Sequence, residues 1–173
     1  MQDTLLKFPS QLHKDAFNTN LDDIRKYIHE HGYSLEKDSL EQTPLILLVR
    51  ARADDADAAK RIADAASLFI QHKADVNTPD KYGDSPLILA VMDGGGVPKT
   101  ETVRALVEAG ANVKAVCDNF KMTPLHWAAV IGATDIAKVL VDAGARLNKI
   151  DRNRETPLQV ARRQLKRLQD GID

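Results

Sequence analysis

The chain has 173 residues, a net charge of −1 and only 5% aromatic residues. This is one domain's worth of protein, and its near-neutral charge supplies no general attraction to nucleic acid or an anionic membrane. Cys117 is the single cysteine, which excludes an intramolecular disulfide and suits a reducing compartment.

In chain order, residues 1–39 read as a degenerate helix pair. Leu12 to Phe17 forms a first helix, and Leu21, Ile24, Tyr27 and Ile28 mark the buried side of a second. Gly32 ends that helix, and Ser34-Leu35 follows in the connecting turn. In residues 40–77, Thr43-Pro44 opens a strongly apolar helix through Leu45 and Val49. The mixed-charge, alanine-containing stretch 50–59 reads as longer helices meeting at a polar reversal. It lacks the alternating oxygen ligands, glycine and distal glutamate of a calcium loop. Lys73 stands where a helix-ending glycine is expected, which predicts a looser cap.

Residues 78–115 form a third pair, opened by Ser85-Pro86 and interrupted by the run Asp93-Gly94-Gly95-Gly96-Val97-Pro98-Lys99-Thr100. A phosphate loop needs glycine directly before the lysine and another five residues earlier, where this chain has Pro98 and Asp93. The run reads instead as a flexible link, with Thr100 capping the next helix. In residues 116–148, Thr123 is an N-cap and Pro124 occupies the first helical position, where a missing N–H costs nothing. Leu125, Ala128 and Ala129 build a short helix that Gly132 ends. Thr134 and Asp135 begin the next, with a buried stripe of Ile136, Val139, Leu140 and Ala143 and a close at Gly144. Residues 149–173 carry Thr156-Pro157-Leu158 and then a helix crowded with Arg162, Arg163, Lys166 and Arg167.

The four openings recur as T-P-L-I-L-L, S-P-L-I-L-A, T-P-L-H-W-A and T-P-L-Q-V-A, with prolines 42, 38 and 33 residues apart. From Lys73, Gly110 and Gly144 to the next proline takes 13, 14 and 13 residues, so the added residues must lie between the helices of a pair. Thr123-Pro124-Leu125-His126-Trp127-Ala128 matches every fixed letter of T-P-L-H-x-A, and Gly144-Ala145-Arg146-Leu147-Asn148 follows downstream. This pattern, with a period near 33, resembles the ankyrin repeat. The resemblance is strong over residues 78–161 and weak before residue 40. It implies an all-α solenoid of stacked helix-turn-helix units with β-turn or hairpin fingers, in one domain over 1–173. The first and last units would be caps.

The resemblance also implies a protein partner bound at the concave face, at the variable finger positions and beside the small residues of each first helix. Those positions are Leu40, Gln42, Lys81, Tyr82, Asp84, Asn119, Phe120, Met122, Arg152, Asn153 and Glu155, with Met92, Trp127 and Val130 on the first helices. Tyr82, Phe120, Met122 and Trp127 would make an aromatic and apolar cluster of the kind enriched at binding hot spots. For Trp127 and Met122 the other reading is packing between neighbouring units. Glu41, Lys121 and Arg154 replace the turn glycine, so those tips either accept a left-handed residue or take another shape.

Catalytic chemistry finds no constellation. His13, His29, His31, His72 and His126 form no i, i+4 metal pair with a partner acid. Within the family, the histidine at position 126 braces the Thr-Pro turn. Cys117 has no activating histidine nearby in sequence. The first thirty residues hold no apolar run of signal-peptide length, and Leu45–Val49 is far short of the roughly 18 residues of a membrane span. The expectation is a cytoplasmic, non-enzymatic adaptor or inhibitor, for example an immunity protein. No cofactor, metal, membrane or small-molecule substrate is expected, and nucleic acid is not the expected partner. The alternative is nucleic-acid or acidic-ligand binding through the basic C-terminal helix; the other reading of that helix is a solubilising cap with cations suited to a helix C-terminus.

Overall fold

The hydroxyl–proline openings dictate the helix starts. Thr43, Thr123 and Thr156 each hold an extended backbone and accept a hydrogen bond at Oγ1 from the N–H three residues on, with proline next in the chain. The computed structural model describes residues 11–33, 36–92 and 96–171. Its helices are α1 (Gln11–Phe17), α2 (Leu21–His31), α3 (Pro44–Arg50), α4 (Ala56–Gln71), α5 (Pro86–Met92), α6 (Thr100–Glu108), α7 (Pro124–Ile131), α8 (Thr134–Asp142) and α9 (Pro157–Gln169). Among the described residues there is no extended strand. Ser34 and Leu35, and Asp93, Gly94 and Gly95 of the glycine run, lie outside the described residues.

The helices stack in two rows, as expected for an all-α ankyrin-type solenoid. The inner helices α1, α3, α5, α7 and α9 pack side by side, and the outer helices α2, α4, α6 and α8 back the first four of them. The inner helices α3 and α5 are buried from Pro44 to Val49 and from Pro86 to Val91, since each has neighbours on both sides and an outer helix behind. The outer helices bury single stripes: Ile62, Ala65, Ala66 and Phe69 on α4, Thr102, Val103 and Leu106 on α6, and Ile136, Val139 and Leu140 on α8. Ala143 is exposed, because α8 has already ended at Asp142.

The outer helices α4, α6 and α8 end alike. Ala74 N–H reaches back to the Phe69 carbonyl, Ala111 to Leu106 and Ala145 to Leu140, each at 2.9 Å. This is the six-residue closure that needs a left-handed residue just before the alanine. Lys73 adopts that backbone at φ 63°, so its cap is no looser than the others. A left-handed lysine carries a steric cost that glycine lacks. Lys73→Gly is therefore expected to raise stability by about 0.5–1 kcal/mol in chemical denaturation. Unchanged or lower stability would show that the lysine side chain compensates its own strain.

The added residues do lie between helices, and they pack on one another. α4 runs to 16 residues against nine in α6 and α8, whereas α3 remains short at seven. Ala53 and Gly96 form a parallel bridge, and Val97 N–H donates to the Ala53 carbonyl at 2.7 Å. Gly96 has φ 106°, and a Cβ there would lie 2.0 Å from the Ala53 oxygen, so only glycine fits. Lys99, not Thr100, takes the N-cap position of α6 without a side-chain cap bond. Its buried ammonium instead donates to the carbonyls of Val49 and Ala51 at the C-terminal end of α3.

Candidate protein-binding surface

The finger turns are closed by aspartate. Asp38 Oδ1 accepts from the N–H groups of Leu40 (2.8 Å) and Gln42 (2.9 Å). Asp80 Oδ1 accepts from Tyr82 (2.9 Å) and Asp84 (3.0 Å), and Asp151 Oδ1 from Glu155 (2.9 Å). The turn position expected to hold glycine is left-handed in every finger, at Glu41 (φ 57°), Gly83 (80°), Lys121 (56°) and Arg154 (63°). The departures from glycine thus keep the turn conformation at the expense of backbone strain. Fingers join through single backbone bonds, from Lys81 N–H to the Leu40 carbonyl and from Arg152 N–H to the Phe120 carbonyl.

The finger at 117–122 differs from the rest. Its backbone closes between Cys117 and Met122, with Lys121 N–H on the Cys117 carbonyl, where the others close from Asp38 to Gln42, Asp80 to Asp84 and Asp151 to Glu155. This wider turn absorbs the one extra residue between Gly110 and Pro124. Cys117 therefore takes the buried slot, and the Asp118 carboxylate swings outward toward Lys121 (3.3 Å) and against Gly83. A Cβ at Gly83 would meet Asp118 Oδ2 at 2.3 Å, which gives this finger a reason to keep glycine.

Three of the expected contact residues turn inward. The turn aspartate draws in the backbone of the residue just before the Thr/Ser cap, and Gln42 and Asp84 are buried there. The Gln42 amide lies between the Asp38 carboxylate and the Arg50 guanidinium. Met122 is buried with Ile88 and Cys117, and Trp127 and Val130 pack against that group from outside. Met122 supports the surface without forming it.

What reaches solvent is centred on two rings. Phe120 is 53% exposed and meets Trp127 edge-on, with centroids 5.7 Å apart and planes at 89°. Trp127 is half-buried, so both of its expected roles, packing and surface, have a geometric basis. Tyr82 is 50% exposed on the preceding finger, with Lys81 Nζ 4.9 Å from its ring centroid. Lys81, Asn119, Arg152 and Asn153 are exposed, Leu40 and Met92 half-buried. Glu155 is partly buried and pairs with Arg163 (Nη2 to Oε2, 3.1 Å).

The family model for ankyrin repeats (3 copies) matches residues 12–117 and 98–169, nearly the whole chain. The chain is an ankyrin-repeat protein. Its relatives include neurogenic locus notch homolog protein 1 of Xenopus tropicalis, 33% identical over 129 residues, which span 57% of this chain and 5% of that protein. The neurogenic locus Notch protein of Drosophila melanogaster is 35% identical over 100 residues, 51% of this chain and 4% of its own length. Human B-cell lymphoma 3 protein is 32% identical over 82 residues, 47% of this chain and 18% of its own. The ankyrin-repeat chain thus covers a small part of each relative. Ankyrin repeats generally mediate protein–protein interaction. Among the described residues, no helix is long and apolar enough to cross a membrane.

In this ankyrin-repeat protein the motif histidine links two units. Thr123 N–H donates to His126 Nδ1 at 3.1 Å, with the Thr123 hydroxyl 2.8 Å from the same nitrogen. An accepting Nδ1 places the proton on Nε2, which donates to the Glu155 carbonyl at 3.1 Å in the next unit. Burial holds the imidazole below its ordinary pKa. His13 is likewise buried, and burial holds its imidazole below the ordinary pKa too. Sequence reasoning missed His13, although Leu12-His13 repeats Leu125-His126. It also passed over Leu165 and Leu168, which share one face of α9 with Leu158, all three being exposed.

Proposed function

We propose that this ankyrin-repeat chain is a non-catalytic binding module, an adaptor or inhibitor, that takes a partner protein on its concave face around Phe120 and Trp127. The observation that carries this reading is the half-exposed Phe120 ring held edge-on by Trp127, an apolar group on a turn tip with no core to fill. Tyr82, Lys81, Asn119, Arg152 and Asn153 complete the contact surface, with Gln42, Asp84 and Met122 behind it. The non-catalytic part is supported by the buried His126, which is committed to bracing neighbouring units. We place the module in the cytoplasm, where its buried thiol at Cys117 remains reduced. In this reading the units are 1–39 (cap), 40–77, 78–115, 116–148 and the closing 149–173.

The test is retention of a partner from native lysate by wild type and by Phe120→Ala. The exposed ring contributes little to folding, so the variant should melt as wild type does. Loss of the partner by at least about tenfold in affinity is expected. Full retention by a folded Phe120→Ala protein would rule the concave site out.

A second reading rests on the exposed Arg162, Lys166 and Arg167 of α9, which suit an acidic ligand or nucleic acid. It requires binding that falls steeply with added salt, whereas the apolar concave contact tolerates salt.

A further inference from the structure

α9 differs from the other inner helices in what lies behind it. α2, α4, α6 and α8 back α1, α3, α5 and α7, but among the described residues no outer helix backs α9. The faces that such a helix would cover stand open. Ala137, Val141 and Leu147 on one wall, and Leu158, Leu165 and Leu168 on the other, line an apolar groove of about 1020 Å³. Leu165 is 60% exposed and Leu168 71%, a large apolar area for a helix otherwise rich in charge. The groove continues the line of the outer row, so the element that fits it is an α-helix with one apolar face. The outer helices α6 and α8 have nine residues and α4 has 16, which brackets its length.

Charge narrows the occupant. Arg167 lines the groove, Arg162 and Lys166 follow Ala161 and Leu165 at its edge, and Lys138 follows Ala137 on α8. Asp135 and Asp142, which follow Thr134 and Val141, are the acids on that flank of α8. The rim is therefore mainly cationic. A second copy of the chain docking by the same face would bring two such rims together across a two-fold axis, an unfavourable arrangement.

We infer that the groove between α8 and α9 is a docking slot for an amphipathic α-helix of a partner protein, with leucine-type anchors on one face and acidic flanks. The slot shares Val130 with the concave positions but none of Tyr82, Phe120 and Trp127, and does not depend on them.

The test uses fluorescence anisotropy with two labelled helical peptides of 16 residues, the length of α4. Both carry leucines at i, i+3, i+4 and i+7; one has glutamate flanks and the other lysine flanks. The glutamate peptide is expected to bind saturably, and the lysine peptide at least about tenfold more weakly. Leu165→Gln keeps a good helix former at an exposed position and should melt as wild type does. It is expected to weaken the glutamate peptide by at least about tenfold, while Phe120→Ala leaves it unchanged. The inference is overturned if wild type does not bind the glutamate peptide, if both peptides bind equally, or if Leu165→Gln binds as wild type does. A dimer in sedimentation velocity that Leu165→Gln dissolves would give the face to a second copy and overturn it as well.

Discussion

Replacing His126 with alanine is expected to lower folding stability by about 3 kcal/mol. The loss combines the Thr123 cap, the bond to the Glu155 carbonyl at roughly 1 kcal/mol each, and a cavity in a fully buried site. For a chain of this size that is a fall of roughly 6–12 °C in melting temperature. His126→Gln separates the two halves of the role. Gln159 already occupies the equivalent place in α9, where its Oε1 accepts from Thr156 N–H at 2.8 Å and completes a capping box without an inter-unit arm. Glutamine at 126 should therefore keep the cap, lose the bond to Glu155, and cost about 1 kcal/mol. Equal losses for alanine and glutamine would show that the cap contributes nothing.

The same histidine sets a pH dependence. Burial depresses its folded-state pKa below the ordinary 6.5, so the unfolded chain binds the proton more readily. The stability it contributes is fully present above pH 6.5 and is lost as pH falls through the folded value. Protonation would also put a hydrogen on Nδ1, where Thr123 N–H now donates. His13 is depressed by burial in the same direction. Denaturation curves from pH 7.5 to 5 should show falling stability, with a shallower slope in His126→Gln. A wild-type profile flat across that window would contradict the assignment of a neutral, accepting imidazole.

Lys99→Met is expected to cost about 2 kcal/mol, the second large effect. Two opposed terms meet here. A buried ammonium, 2% exposed, carries a desolvation penalty that methionine would remove. Against it stand two carbonyls at the negative end of α3, Val49 and Ala51, which methionine leaves without this donor inside the packed insertions. Bonds from a charged donor contribute about 1.5–3 kcal/mol, and a buried acceptor stripped of its partner costs about 1–3 kcal/mol, so the loss should outweigh the relief. Urea denaturation at constant m-value measures the balance. A neutral or stabilised Lys99→Met protein would mean that desolvation wins and that the lysine specifies how the insertions meet without stabilising them.

The sequence by itself determined the helices and their order. Hydroxyl–proline starts, three- and four-residue apolar stripes and alanine-closed ends act within a few residues of the chain, so they are legible in it. The turn lengths, which differ by one residue at most, likewise placed the added residues between helices of a pair. The tertiary structure decided which side chains face out. Gln42, Asp84 and Met122 sit on the same fingers as exposed residues, yet the aspartate-closed turns and the pocket beside Ile88 take them inward. A single extra residue widened the turn at Cys117 and expelled Asp118, which counting back from Pro124 could not reveal. Lys99 reaches a carbonyl fifty residues earlier, and no local pattern encodes a bond over that separation. Among the described residues no outer helix backs α9, and only the stacking shows which leucines line the groove beside it.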